Sequence, residues 1–360
     1  MRAAVCYEHG QPLVIEEVSL DAPKQGEVRV RIGAVAICHS DVHLIRGEWG
    51  GMVPVIAGHE AAGVVEAVGD DVTLVRPGDH VVVSLLRSCG RCFFCQRGEP
   101  FLCEGTFALR TETRLHTTSG DPIIQGISTA AFAEQVVVDQ SQLVRVSRDL
   151  PLDCASLLAC GVITGVGAAV NTGQVRPGSS VAVIGVGGVG LNAVQGASLS
   201  GANPIIALDV LDQKLEAARP FGATHGINAL DQDALEKVRE LTSGRGVDYA
   251  IVAVGSTAAA EQAVALTRRG GTVVIAGMPH ADASLQLPVF RFVGSGKRIL
   301  GSSMGSTRLS VDVPRLVGLY QQGRLKLDEL ISQRYPLDRI NDAIEAMETG
   351  QSLRNVIVID

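Results

Sequence analysis

The stretch that decides the fold is VAVIGVGGVG, residues 181–190. Its glycines, Gly185, Gly187 and Gly190, form the pattern G-x-G-x-x-G between a strand-like run and a helix-like run. That spacing allows a tight turn, a close approach of the backbone to a ligand, and close packing of helix on strand. The free N–H groups at the start of the helix attract phosphate. The stretch therefore predicts the first βα turn of a dinucleotide-binding sheet.

Strand-like and helix-like segments alternate on the C-terminal side of this turn. In order, they are PIIALD (204–209), the helical DQKLEAARPFGA (212–223), DYAIVAVG (248–255), the helical TAAAEQAVALTRRGG (257–271) and TVVIAGM (272–278). Alternation of this kind is typical of parallel βαβ units. We therefore predict an α/β fold, with a doubly wound parallel sheet of the Rossmann type over residues 162–303.

The choice of dinucleotide is indicated by Asp209, which ends the strand that follows the glycine turn. An acid at this position hydrogen-bonds the adenosine ribose of NAD. Val210 and Leu211 come next, so no arginine is present there to meet the 2′-phosphate of NADP. A purely structural glycine turn is the alternative, and the register of strand, helix and acid disfavours it. The sequence thus predicts NAD.

The N-terminal part of the chain, up to about residue 160, is rich in short β-type runs. These runs are VRVRIGAVAI (28–37), GVVEAV (63–68), HVVVSLL (80–86) and EQVVVD (134–139). Turn signals such as RPGD (76–79) separate them, which predicts an antiparallel, barrel-like region. The final stretch, 304–360, contains helical segments and ends in the apolar run VIVID.

The composition limits the classes of protein that this chain can represent. Of its 360 residues, 46% are hydrophobic and 19% are charged, which suits about two packed domains. The start has no basic head before an apolar stretch, and no apolar run reaches the ~18–20 residues of a membrane-spanning helix. A formal net charge of −7 disfavours nucleic acid and anionic membranes as partners. We expect a cytoplasmic protein whose thiols are reduced.

Residues 87–103, RSCGRCFFCQRGEPFLC, contain four of the eight cysteines: Cys89, Cys92, Cys95 and Cys103. Four thiolates on one short loop can complete a closed tetrahedral zinc site, which leaves no open position for chemistry. Unrelated thiols are disfavoured by the spacing C-x2-C-x2-C-x7-C. A nucleic-acid-binding zinc module usually combines separated ligand pairs with a basic surface, and this chain is acidic. The loop therefore predicts a structural zinc site.

Together, these features resemble the zinc-dependent medium-chain alcohol dehydrogenases over essentially the whole chain. The matching motifs are AICHSDVHLIRG (36–47), GHEAAGVVEAVG (58–69), the four-cysteine lobe, LLACGVITGVGA (157–168), the glycine turn and SLRNVIVID (352–360). The resemblance implies a GroES-like, mainly β catalytic domain with a zinc lobe over residues 1–161 and 304–360, beside the Rossmann domain over 162–303. The long segment between Cys103 and Cys160 is similar to that of the dimeric, class III-like branch, so a homodimer is expected.

The resemblance also implies a catalytic zinc ion, held by Cys38, His59 and Cys160, and hence two zinc ions per chain. Two thiolates and one imidazole leave a fourth position for water or substrate. Glu60 is expected to approach the zinc, and Asp41 to orient His59. The implied reaction is hydride transfer between a primary or secondary alcohol and NAD+.

Further roles carry over from the resemblance in the same way. Ser40 and His43 match the proton relay of the family, and histidine suits proton delivery because its pKa lies near neutrality. An ordinary surface imidazole is the alternative for His43. Thr164 matches a position beside the nicotinamide. The cofactor-binding positions are Gly185, Gly187, Gly188, Val189, Gly190, Asp209, Lys214, His39 and Arg354.

The substrate is less constrained by the sequence. By the resemblance, Leu85 occupies a substrate-pocket position and Trp49 lies near the substrate channel, which implies an apolar slot that would admit an aliphatic or aromatic alcohol. An alternative is oxidation of formaldehyde adducts of small thiols or the turnover of S-nitrosothiols, in which Arg110 or Arg114 would meet a substrate carboxylate. A nicotinoprotein that holds NAD permanently is a further alternative. A non-catalytic zinc protein, or a zinc-free NADPH reductase, would lack Cys38, His59 or Cys160, and all three are present.

Overall fold

The structure is a computed structural model that describes residues 1–350 and 352–359, so the last residue of the motif SLRNVIVID lies outside the described residues. The strands are β1 (Arg2–Cys6), β2 (Val14–Leu20), β3 (Glu27–Ala36), β4 (Val55–Ile56), β5 (Glu60–Val68), β6 (His80–Val83), β7 (Leu115–Thr117), β8 (Pro122–Gln125), β9 (Gln135–Asp139), β10 (Leu143–Arg145), β11 (Val181–Ile184), β12 (Ile205–Asp209), β13 (His225–Asn228), β14 (Val247–Val252), β15 (Thr267–Ile275), β16 (Arg298–Gly301), β17 (Ile331–Pro336) and β18 (Arg354–Val358).

The helices are α1 (His39–Ile45), α2 (Phe93–Gln96), α3 (Leu152–Leu157), α4 (Gly161–Gly167), α5 (Gly188–Leu199), α6 (Asp212–Ala218), α7 (Ala234–Leu241), α8 (Thr257–Leu266), α9 (Val289–Ser295), α10 (Leu309–Gln321) and α11 (Ile340–Glu348). None of these described helices is long and apolar enough to cross a membrane. The chain divides into two units, Met1–Cys160 with Arg308–Asp360, and Gly161–Thr307.

In the unit Gly161–Thr307, six strands form one sheet in the order β13-β12-β11-β14-β15-β16. All neighbouring strands are parallel. The chain enters at β11, builds outward to β13, and then returns to the other side of β11 with β14. That reversal is the topological switch of a doubly wound sheet, and ligands bind such sheets at the carboxyl ends of the strands beside it. The predicted Rossmann sheet is confirmed.

One boundary in this sheet differs from the prediction. The helix predicted over 257–271 ends at Leu266, and β15 begins at Thr267. Thr267 pairs with Val247 of β14, so the ladder begins five residues earlier than the pattern indicates. Gly270 then adopts a left-handed φ of 70°. Pairing with β14 overrides the helical propensity of the segment, because tertiary contacts outweigh differences of a few tenths of a kcal/mol per residue.

The other unit contains two β-structures, as the strand-rich sequence predicts. Five strands close a barrel in the order β1-β2-β7-β8-β4. A second sheet follows the order β10-β6-β5-β3-β18-β17, with β9 paired to β3. The C-terminal strand β18 lies antiparallel to β3, beside the end of β3 that leads to Cys38. Side chains that are buried on the inner face of β3, such as Val28, Val30 and Ile32, belong to a single apolar core.

The packing of the glycine turn generates a stability prediction. A Cβ on Gly190 would lie 1.8 Å from the carbonyl oxygen of Gly185, whereas a Cβ on Gly187 would meet nothing within 4 Å. We expect Gly190→Ala to lower the free energy of unfolding of this unit by about 3 kcal/mol, because the backbone of the turn cannot move aside cheaply. The matched change Gly187→Ala should cost less than about 1 kcal/mol. Urea denaturation without dinucleotide measures both, and equal losses would contradict this account of the turn.

Candidate metal and dinucleotide sites

A buried cluster in the unit Met1–Cys160 with Arg308–Asp360 contains Cys38, His59, Glu60 and Cys160. One ligand atom from each residue lies within 4.8 Å of the others, and all four residues are buried. Cys38 lies between β3 and α1, His59 immediately precedes β5, and Glu60 is the first residue of β5. Cys160 follows α3. The fold thus brings together the three residues predicted as ligands and Glu60, the carboxylate expected to approach the zinc.

The side chain of Asp41 fixes the backbone at Cys38 and the imidazole ring of His59. Its Oδ1 accepts hydrogen bonds from the backbone N–H of Gly58 at 2.9 Å and from Nδ1 of His59 at 2.8 Å. Its Oδ2 accepts from the backbone N–H of Cys38 at 3.2 Å. Because Nδ1 is held by Asp41, Nε2 is the ring atom left to bind a metal ion. A carboxylate that orients a histidine in this way is typical of a metal ligand.

The two thiols of the cluster differ in how readily they ionise. The contact with the Cys160 sulfur lowers the pKa of the Cys38 thiol well below its usual value. The His59 ring also lowers this pKa, whereas burial opposes the shift. The same contact with Cys38, together with burial, raises the pKa of the Cys160 thiol well above its usual value. Protein groups alone therefore stabilise one thiolate and oppose a second. A divalent ion would allow both thiols to ionise.

Zinc fits this donor set. Nε2 of His59 and Oε1 of Glu60 are buried and have no hydrogen-bond partner within the described part of the chain. An unpartnered buried nitrogen and carboxylate oxygen beside two thiols are costly without an ion. Two sulfurs, one imidazole nitrogen and an oxygen are the ligands of tetrahedral zinc. Burial raises the pKa of the Glu60 carboxyl to about 7, despite the nearby Arg354 guanidinium.

Arg354 begins β18 and forms a buried ion pair with Glu60. Burial opposes the charge of the guanidinium, but the Glu60 carboxylate more than offsets it and raises the pKa of Arg354 overall. The resemblance assigns this residue to a cofactor pyrophosphate, and that role stays a prediction. Its observed partner is the carboxylate of the metal cluster.

A strained loop lies directly against the His59 segment. Ile127, Ser128 and Ala130 have positive φ values of 44°, 61° and 62°. Such conformations cost non-glycine residues of order 1 kcal/mol or more each and persist only where the surroundings enforce them. After this loop, the backbone N–H groups of residues 131 and 132 donate to the carbonyls of residues 58 and 57 at 2.8 and 2.9 Å. The loop therefore supports the backbone that presents His59.

The buried side chains of Arg87 and Gln142 hold this loop. Arg87 donates through Nη2 to the carbonyl of Ser128 at 2.9 Å and through Nε to Oε1 of Gln142 at 2.7 Å. Gln142 in turn donates to the same Ser128 carbonyl at 3.0 Å. Sequence reasoning missed both residues, because one arginine and one glutamine carry no local pattern that distinguishes buried from exposed positions.

The four-cysteine lobe is the second metal cluster. Its sulfurs all lie within 4.8 Å of one another. Backbone N–H groups of Cys92 and Gly105 donate to sulfurs of the cluster at 3.3 Å each. A Cβ on Gly105 would lie 2.9 Å from the Cys89 sulfur, so the chain passes the cluster too closely for any other residue. Backbone N–H groups lower the pKa of the Cys92 thiol to about 6, which favours the thiolate that zinc binds. The four donors fit a closed zinc site.

The dinucleotide turn lies in the unit Gly161–Thr307. Gly185 has a φ of 82°, and Gly187 precedes α5, whose first residues are Gly188 and Val189. Asp209 is buried at the end of β12. Its Oδ2 accepts from the backbone N–H of residue 186 at 2.9 Å, and its Oδ1 from that of residue 211 at 3.1 Å. The acid predicted to bind ribose thus also ties the glycine turn to the next strand. Lys214 is half-buried on α6.

The predicted relay residues lie on α1. Ser40 and His43 are half-buried, and His39 is exposed at the start of the helix. Nδ1 of His43 pairs with the carboxylate of Glu48. The centroid of the His43 ring lies 5.0 Å from the centroid of the Trp49 ring. Sequence reasoning did not identify Glu48 as a partner of His43. In the other unit, Thr164 is buried on α4, with its hydroxyl 3.8 Å from the Met304 sulfur.

The hypothesis that Arg114 meets a substrate carboxylate is wrong. Its Nε and Nη2 bind the two carboxylate oxygens of Glu27 at 2.9 and 2.6 Å, and both side chains are buried. Nη1 is bound to Glu112 at 3.0 Å. A bidentate buried pair leaves no free face for a ligand. Arg110, in contrast, is exposed, and its role stays a prediction.

The packing against His59 generates a prediction for Gly58→Ala. Gly58 has a φ of 94°, and its Cβ would lie 2.6 Å from the backbone nitrogen of Phe132. We expect the substitution to displace the His59 segment, to lower the free energy of unfolding by about 3 kcal/mol and to remove about half of the bound zinc. Gly10→Ala is the matched control, because its φ is 79° and its Cβ would meet nothing within 4 Å. Metal analysis of folded protein tests this, and equal zinc in both variants would contradict it.

Comparisons with known proteins place these sites in a family. A family model described as an alcohol dehydrogenase GroES-like domain matches residues 24–148, and one described as a zinc-binding dehydrogenase matches residues 188–322. The S-(hydroxymethyl)glutathione dehydrogenase of Saccharomyces cerevisiae is 39% identical, over 99% of this chain and 96% of its own. The NDMA-dependent alcohol dehydrogenase of Amycolatopsis methanolica is also 39% identical, over 99% and 98%.

A solved structure agrees with this placement. The benzyl alcohol dehydrogenase of Acinetobacter calcoaceticus superposes with a TM-score of 0.93 and 32% identity, covering 100% of this chain and 99% of its own. Both matched domains and the two clusters of metal donors lead to the same conclusion. The chain belongs to the zinc-dependent medium-chain alcohol dehydrogenases, a family of oxidoreductases.

Proposed function

We propose that this enzyme transfers hydride between a primary or secondary alcohol and NAD+, giving an aldehyde or ketone. Cys38, His59 and Cys160 would hold the catalytic zinc ion, and Cys89, Cys92, Cys95 and Cys103 the structural one. The observation that carries the proposal is the Nε2 of His59, which has no hydrogen-bond partner among residues 1–350 and 352–359 and lies beside two buried thiols, with Nδ1 held by Asp41. An imidazole whose Nδ1 is held by a carboxylate in this way is typical of a histidine that binds a metal ion through Nε2.

The side chains around this centre have separate tasks in the proposed reaction. When bound, zinc supplies Lewis acidity and the nicotinamide supplies the hydride acceptor. Asp41 keeps the His59 ring in one tautomer and one orientation. The hydroxyl of Ser40 would accept the alcohol proton as it gives up its own, and the imidazole of His43 would deliver a proton to solvent. Glu48 holds Nδ1 of His43, which leaves Nε2 to exchange that proton.

NAD is supported over NADP by the glycine turn and Asp209. Each oxygen of the Asp209 carboxylate accepts one backbone hydrogen bond, which leaves further lone pairs for ribose hydroxyls. A 2′-phosphate beside that carboxylate would be repelled. The remaining cofactor-binding assignments, and the position of Thr164 beside the nicotinamide, rest on the resemblance.

Our preferred substrate is an apolar alcohol. Leu85 and Trp49 are half-buried side chains that suit an aliphatic or benzylic group. The yeast relative favours a second candidate, a formaldehyde adduct of a small thiol. Because Arg114 is held by Glu27, only Arg110 of the two predicted arginines is left to meet a carboxylate of such an adduct. An enzyme that retains NAD permanently, as a nicotinoprotein, is a further candidate.

We infer that the enzyme is a cytoplasmic homodimer. The location is supported by the eight cysteines, which form no disulfide within the described part of the chain, since reduced thiols suit a reducing compartment. The dimer is supported by the long segment between Cys103 and Cys160, as in the dimeric branch of the family. Size-exclusion chromatography with light scattering measures the assembly directly.

The two metal sites generate a prediction about their unequal roles. Cys38→Ala should abolish turnover, because the ligand set for the catalytic ion is incomplete, with a modest loss of stability. Cys95→Ala should instead unfold the lobe and cost several kcal/mol, since structural zinc binding is linked to folding. Native mass spectrometry of the wild type should count two zinc ions and report whether NAD co-purifies. Unaffected turnover in Cys38→Ala would refute the assignment.

The substrate prediction is tested with a chain-length series. Each buried methylene should improve binding by up to ~0.8 kcal/mol until the slot is full, so efficiency should rise from ethanol to medium-chain or benzylic alcohols. Formaldehyde with and without low-molecular-weight thiols is assayed in parallel, for the wild type and Arg110→Ala. Efficient turnover confined to the thiol-supplemented formaldehyde assays, with a loss in Arg110→Ala, would decide for the thiol adduct.

A further inference from the structure

The unit Gly161–Thr307 contains a cavity of about 660 Å³ that none of the proposed roles uses. We name it the basic cavity, because six cationic side chains line it: Arg239, Arg245, Arg268, Arg269, Arg291 and Lys297. Glu261 is the single acidic residue among the described residues that line it. This concentration of positive charge occurs in a chain whose formal net charge is −7.

The basic cavity lies at the opposite end of the sheet from the dinucleotide turn. Arg245 precedes β14, Arg268 and Arg269 are among the first residues of β15, and Lys297 immediately precedes β16. These are the amino ends of parallel strands. The glycine turn follows the carboxyl end of β11 in the same sheet. The basic cavity is therefore separate from the site predicted to hold the dinucleotide.

Most of the cationic groups in this cavity have no carboxylate partner. Arg268 is paired with Asp248 at 2.6 Å, and Arg239 with Glu236 at 3.2 Å. The other four form no ion pair within the described part of the chain. Arg269 and Lys297 donate to carbonyl oxygens, those of residues 294 and 264, at 2.9 and 2.6 Å.

Arg245 and Arg291 have no side-chain hydrogen bond among the described residues, so their guanidinium groups are available to a ligand. Burial lowers the pKa of the Lys297 ammonium. The carbonyl of residue 264 is uncharged, and its one hydrogen bond does not compensate for the water that the ammonium loses on burial. Cations gathered in one concave surface repel one another, and they raise the local concentration of anions. An anion in the basic cavity would relieve both effects.

We propose that the basic cavity binds a phosphate-rich anion, either a free polyphosphate chain or the triphosphate of a nucleotide. Guanidinium groups bind phosphate oxygens in a bidentate manner, and several arginines on one surface suit several phosphates. The volume of the basic cavity lies in the range of about 300–1,000 Å³ that small-molecule sites occupy. A cavity of this volume has room for a ligand larger than a single phosphate group. Phe292 and Leu287 add apolar surface for a non-phosphate part. The proposal requires no assignment at the metal or dinucleotide sites.

The test is calorimetric titration of the full-length, zinc-loaded protein with tripolyphosphate and, separately, with ATP. Saturating NAD is present throughout, so that the glycine turn is occupied, and zinc content is measured before and after. The variant Arg245→Gln/Arg291→Gln removes two cations that form no ion pair and no side-chain hydrogen bond with the described residues. The control Arg176→Gln/Arg324→Gln removes the same charge from exposed arginines outside the cavity.

We expect saturable binding by the wild type that weakens at least about tenfold in Arg245→Gln/Arg291→Gln and changes less than about twofold in the control. Binding of both probes identifies the phosphate chain as the recognised group, and binding of ATP alone identifies a nucleotide. No saturable binding, or equal losses in both double variants, would overturn the proposal, because the attraction would then be absent or diffuse. A changed molar mass in Arg245→Gln/Arg291→Gln by light scattering would also overturn it, since the cavity would then be an interface between copies.

Discussion

The buried carboxylate of Asp41 accepts hydrogen bonds from the backbone of Cys38, the backbone of Gly58 and the ring of His59. It thereby joins the start of α1 to the segment before β5 and sets the tautomer of His59. A buried carboxylate is tolerated there because three N–H donors satisfy it. Because Asp41 holds Nδ1, the Nε2 that has no hydrogen-bond partner among the described residues is the ring atom predicted to bind the metal.

Asp209 performs the same structural task in the other unit. It accepts backbone hydrogen bonds from the glycine turn and from the residues after β12. In both units, a buried acid therefore fixes the relative position of two chain segments at a functional site. Each acid has a second, predicted task as well: Asp41 to orient a metal ligand and Asp209 to bind the ribose of the dinucleotide. An acid can combine the two tasks because each carboxylate oxygen has two lone pairs.

Residues outside the candidate metal cluster also support its geometry. The positive φ values at residues 127, 128 and 130 represent conformational strain, and the buried network of Arg87 and Gln142 offsets it. This strained loop hydrogen-bonds to the backbone just before His59. Strain at this place is consistent with its position beside a site that requires a fixed geometry. Gly58 is essential to the contact, because a side chain there would collide with Phe132.

The sequence by itself determined the features that depend on neighbouring residues. The strand, glycine turn and helix at 181–199, and the close spacing of Cys89 to Cys103, are local patterns for which residue spacing favours one interpretation over its alternatives. The ligands Cys38, His59 and Cys160 are far apart, and only their match to a family predicted them. Tertiary structure alone decided the partners of single charged residues. Arg114 meets Glu27 across 87 residues, and Arg354 meets Glu60 across 294. The basic cavity arises in the same way, because packing of the sheet gathers arginines from separate strand ends. A single charged residue forms no periodic pattern in the sequence, so the sequence does not show which residue it will pair with. Only the fold brings the two partners together.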